Sequence, residues 1–124
     1  MNVGIVGSRR WKDRSAIENL INTLPPYATV VSGGARGVDS WAVEGARARG
    51  LLVKEFLPEL PSNGGHPSEY TQAYYARNRQ IAEYSDVIYA FVAPDRKGGT
   101  ENTIKHAKEI GTPVNIINED TSIE

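Results

Sequence analysis

A chain of 124 residues with 40% hydrophobic and 23% charged residues and a formal charge of -1 reads as a single globular domain spanning 1–124. The absence of cysteine excludes disulfides, thiolate metal sites and cysteine nucleophiles, and the only two histidines, His66 and His106, lack metal-ligand spacing, so neither a metal nor a cofactor is expected. No apolar run approaches the ~20 residues of a membrane span, and residues 1–6 lead straight into Gly7 and two arginines instead of a secretory leader, which points to the cytoplasm and away from membranes.

Residues 2–6 predict a short buried strand. A helix then starts near Ser15, where Ser15 and Glu18 have capping-box spacing and Ile17, Leu20, Ile21 and Leu24 form an apolar stripe that Pro25 and Pro26 end. Residues 28–31 predict the second strand. The turn SGGARGVD at 32–39 leads into a helix whose Val38, Trp41, Ala42, Gly45 and Ala46 share one face. A glycine inside a helix costs ~1 kcal/mol against alanine, which predicts that Gly45 lies close against the sheet, and Gly50 closes the helix.

A third strand covers 51–56, and 57–67 forms a long connection with three prolines. Ser68 caps a third helix reaching Tyr84. A fourth strand at 87–92, a turn at 93–99 and a fourth helix at 100–110 follow, the helix stopped by Gly111 and Pro113. A last strand at 114–117 precedes a frayed polar tail from Asn118 that carries Glu119, Asp120 and Glu124. Strands alternate with helices and are continuous apolar runs, the mark of a parallel sheet covered on both faces. The fold class is therefore α/β, a Rossmann-like three-layer domain with a mainly parallel five-stranded sheet. Right-handed crossovers bring every strand-to-helix turn to the carboxyl edge of that sheet.

Three of those turns share one chemistry. Ser32, Gly33, Gly34, Ala35, Arg36 and Gly37 offer backbone amides at a helix start; Gly7, Ser8 and Arg9 follow the first strand, and Gly98, Gly99 and Thr100 open the fourth helix. Glycines let a ligand approach the backbone, and a helix N-terminus attracts anions, so the three turns predict one phosphate pocket. The spacing matches neither the Walker pattern nor GxGxxG. On the third helix Tyr70, Tyr74, Ile81 and Tyr84 keep one face apolar while Arg77 falls on that same face; a buried cation needs an acid or a site, which makes Arg77 and its neighbour Asn78 candidates. Asp39 reads as a helix-start residue and Trp11 as packing. His66 and the solvent-side His106 carry no assignable role.

The segments GSRR, VVSGGARGVDSWAVEGA, ARNRQIAEYSD and GGTENTIKHAKEIGTPV resemble the SLOG superfamily over 3–117, the Rossmann-like group that includes DNA-processing protein A and the Lonely Guy phosphoribohydrolases. The likeness is greatest to its small stand-alone bacterial and phage members. It implies a nucleotide or nucleotide-derived ligand at the carboxyl edge. Arg77 matches the catalytic arginine of the phosphoribohydrolases. When Gly99 and Thr100 are aligned on their PGGxGTxxE signature, the catalytic glutamate position is Thr103, with Glu101 two residues earlier. Three functions follow as expectations: nucleotide binding through the three turns; N-glycosidase action on a nucleoside monophosphate with Arg77 and Glu101 as catalytic pair; and binding of single-stranded nucleic acid. Dimerisation of two copies through helix faces is a further expectation.

Overall fold

The computed structural model describes residues 1–62 and 64–119. Among them the chain alternates β1 (Asn2–Gly7), α1 (Arg14–Thr23), β2 (Thr29–Ser32), α2 (Val38–Ala48), β3 (Leu52–Glu55), α3 (Pro67–Tyr84), β4 (Val87–Val92), α4 (Gly99–Ile110) and β5 (Val114–Asn118). All the pairings are parallel, in the order β3-β2-β1-β4-β5.

The side-chain period of two explains the layers. Val3 and Ile5 of β1, Val30 of β2 and Phe91 of β4 face α1 and α2, where Ile17, Ile21, Val38 and Ala42 close one core. Val6, Val31, Ile88, Ala90 and Val92 face the other way, onto Ile81, Ala82, Ile104 and Ala107 of α3 and α4. Trp11 belongs to the first core, edge-on to Phe91 at 5.0 Å, with its indole nitrogen donating to the Asp13 carbonyl.

Several local expectations are corrected. Asp13, not Ser15, caps α1: its carboxylate accepts from the Ser15 amide at 3.0 Å, because Asp13 holds the extended backbone an N-cap requires while Ser15 is already helical. His66, not Ser68, caps α3, taking the Ser68 amide at 3.1 Å while Glu69 reaches back to the His66 amide and Pro67 fills the first helical position. His66 is therefore structural. His106 is not on the solvent side; both its ring nitrogens are enclosed without a partner among the described residues. Asn118 ends β5 within the sheet, and Glu119 accepts from the Asp13 amide at 2.9 Å, so the chain is anchored there. Asp120 and Glu124 of the expected frayed tail lie outside the described residues.

Gly45 is close to a helix, not to the sheet. A Cβ there would lie 2.8 Å from Ile21 Cδ1, so the glycine sets the approach of α2 to α1. Gly45→Val is expected to lower stability by about 1–3 kcal/mol through overpacking, measured as a shift in the urea midpoint at unchanged slope.

Candidate functional site

The strand order turns back between β1 and β4, so the loops that leave them diverge to opposite faces of the sheet. A crevice opens at that switch point, on the carboxyl edge. It forms a cavity of about 610 Å³. Of the residues expected from the sequence, Gly7, Ser8, Arg9, Ala35, Arg77, Asn78, Gly98, Gly99 and Thr100 line it. Ser32, Gly33, Gly34, Arg36, Gly37 and Glu101 are absent from its wall.

Each wall has a local cause. Gly7 sits where a Cβ would come within 2.6 Å of Val38 Cγ2, so the first turn lies directly on the start of α2. Because Val38 is branched and fully buried, Gly7→Ala is expected to cost about 1–3 kcal/mol, read as a lowered melting temperature. The Ser8 hydroxyl accepts from the Arg10 amide at 3.1 Å and holds the turn, while Arg10 pairs with Asp95 at 2.6 Å and ties the β1 loop to the β4 loop. Arg9 forms no ion pair among the described residues.

The β4 loop enters α4 through Gly98, whose φ of 116° suits only glycine. Gly98 and Gly37 cap α4 and α2 without a side-chain hydrogen bond, whereas α1 and α3 are capped by Asp13 and His66. No acceptor for the Gly99 and Thr100 amides is found among the described residues. Lys97 joins this wall and forms no ion pair among the described residues. The first turn of α4 therefore presents donors unmatched among the described residues, beside the Lys97 cation.

The SGGARG turn supports the wall from behind. The Ser32 hydroxyl accepts from the Gly34 amide at 3.3 Å and donates to the Asp39 carbonyl at 3.2 Å. Gly34 and Gly37 take φ of 72° and 81°. Arg77 donates from Nη1 to the Gly33 carbonyl and from Nε to Asn78 Oδ1 at 2.9 Å. A Cβ on Gly33 would meet Arg77 Nη1 at 2.6 Å, so this glycine makes room for the guanidinium instead of for a ligand. Asn78 in turn donates to Asn102 Oδ1 at 3.1 Å, linking α3 to α4.

Asp39, read from the sequence only as a helix-start residue, is the carboxylate in the cavity wall. It is 6% exposed, and its Oδ2 accepts from the Ala35 amide at 3.2 Å. Burial pushes its carboxyl up to about 6, opposed by the Ala35 amide, the Arg77 charge, the Gly33 amide and the Arg9 charge. Burial likewise lowers Arg77, against the favourable charge of Asp39. The two nonetheless make no direct ion pair. The run GVD at a helix start was the one available sign of Asp39; nothing local in it tells a buried aspartate from a solvated one.

Tyr74 and Tyr75 of α3 form the aromatic side of the cavity, with Arg77 over the Tyr74 ring at 5.8 Å. Thr103 also lines it, 2% exposed. Glu101 instead faces Arg96, which donates to it from Nε at 2.8 Å and Nη2 at 2.9 Å. An exposed pair of this kind adds little to stability, and Glu101→Ala is expected to leave the urea midpoint nearly unchanged.

A parallel three-layer sheet with a charged crevice at its switch point defines a Rossmann-like α/β domain. Among solved structures, the chain is similar to DNA processing protein A (DprA) from Streptococcus pneumoniae, with a TM-score of 0.78 and 20% identity over 97% of this chain. It spans about half of that protein, 51% of its length. It is also similar to the C-terminal domain of the PF1911 hydrogenase from Pyrococcus furiosus, with a TM-score of 0.51 and 15% identity over 93% of this chain and 89% of that one. No family model and no curated protein matches the sequence. The fold is thus that of the DprA Rossmann-type domain. No helix among the described residues is long and apolar enough to cross a membrane.

Proposed function

We propose that the protein binds a nucleotide or nucleotide-derived phosphate ligand in the switch-point cavity. The observation that carries this reading is the first turn of α4, where the Gly99 and Thr100 amides have no acceptor among the described residues and stand beside Lys97, in a cavity that Arg9 also lines. Unmatched N–H groups, the helix dipole and flexible cations together favour a phosphate, each charge-assisted contact contributing about 1.5–3 kcal/mol. Tyr74 and Tyr75 offer rings for a base, and about 610 Å³ lies within the range of small-molecule sites. The motif resemblance to the SLOG superfamily and the DprA-like fold support the same reading.

Calorimetric titration with AMP, ADP-ribose and cyclic nucleotides tests it, and no heat from any of them would overturn it. Gly99→Ala is the most direct probe. A Cβ there meets nothing within 4 Å, so the fold is expected to hold while the methyl obstructs the amides and weakens binding about tenfold or more.

The second reading is a DNA strand, favoured by the 97% coverage of this chain by a protein named for DNA processing. The two readings differ in salt response. A strand that releases several counterions loses affinity steeply as salt rises, whereas a mononucleotide loses much less.

A further inference from the structure

We infer that the buried Asp39 carboxylate and the Arg77 guanidinium form a receptor for a sugar hydroxyl, so that the site takes ribose-bearing ligands in preference to their 2′-deoxy counterparts. This assignment rests on the nucleotide reading above and adds to it which part of the ligand meets the β2 side of the cavity.

The argument starts from a mismatch. Asp39 lines a phosphate-seeking cavity although a carboxylate repels phosphate, and it is 6% exposed. The Ala35 amide donates to its Oδ2 and the Gly33 amide also acts on the carboxylate, while no side chain among the described residues donates to either oxygen. Arg77 spends Nη1 on Gly33 and Nε on Asn78, and its Nη2 has no partner among the described residues. The two side chains sense each other's charge without touching. Both side chains line the same cavity, so one ligand can meet an acceptor and a donor there. A hydroxyl fits both because it donates to the carboxylate and accepts from the guanidinium at once; an exocyclic amine only donates, and a phosphate only accepts.

Position supports the same assignment. Sheet order places β1 between β2 and β4, so two strand spacings, roughly 10 Å, separate the Asp39 side from the α4 turn. A phosphate held at Gly99 and Thr100 leaves its sugar to cross the Gly7–Ser8 turn toward Asp39.

Titration of the four ribonucleoside 5′-monophosphates and their 2′-deoxy counterparts tests this, with wild-type protein and Asp39→Asn. Wild type is expected to prefer the ribose member of the best-bound pair by about 10- to 100-fold, and Asp39→Asn to shrink that ratio to within about threefold. Equal affinity for the two members by wild type overturns the hydroxyl assignment and leaves nucleotide binding standing. A preference that survives in a folded Asp39→Asn overturns the role of Asp39. No binding in either series overturns the nucleotide reading and this inference with it.

Discussion

Between about pH 3.5 and pH 7 the stability of Asp39→Asn relative to wild type is expected to rise by about 3 kcal/mol. The cause is linkage. Asp39 has a carboxyl pushed from 3.8 up to about 6 by burial, so between those values the native protein holds a proton that the unfolded chain releases. The stabilisation from that proton is complete below the unfolded value and is lost as pH rises through the folded one. A span of about two units corresponds to about 3 kcal/mol. Asparagine cannot ionise and carries no such loss. Other carboxylates act in both proteins and cancel in the difference, including Asp95, whose bond to Arg10 lowers it. Urea denaturation of both proteins across this range gives the result directly. A stability difference that stays constant with pH would contradict it.

The same residue shows where sequence reasoning stops. The strands were legible because parallel strands covered on both faces are continuous apolar runs, and the helices because Ile17, Ile21, Val38, Ala42, Ile104 and Ala107 recur with helical period. Convergence of the turns at one edge then followed from crossover handedness. Arg77 stood out because a charge on an apolar face is rare, and the structure does give it a structural partner, the Gly33 carbonyl, as well as a place in the cavity wall. What escaped is what depends on partners distant in sequence. Gly45 faces Ile21 of α1, and the Asp13 amide meets Glu119. Strand order decides these neighbours, and hydrophobic pattern does not encode it. The caps failed for a local reason: Asp13 and His66 precede serines that fit the same motif, and the backbone conformation chooses between them.

Arg77→Met is expected to lower stability by about 2 kcal/mol at neutral pH, and by about 1 kcal/mol less in an Asp39→Asn background. Methionine retains the aliphatic length that packs near Tyr74 and removes every donor. The Gly33 carbonyl then loses its guanidinium partner and the Asp39 carboxylate its strongest favourable charge. Half-burial of Arg77 keeps the effect below that of a fully enclosed ion pair. If Asp39 and Arg77 act on one turn from its two sides, the losses must be smaller than additive when both are removed. Four urea curves at one pH measure the coupling, and additivity within about 0.4 kcal/mol would show that the two side chains act separately. The cycle also decides how binding data are read. Arg77 both holds the SGGARG turn and faces the cavity, so affinity lost in Arg77→Met contains a part due to the displaced turn. The coupling energy measures the share of that displacement that runs through Asp39.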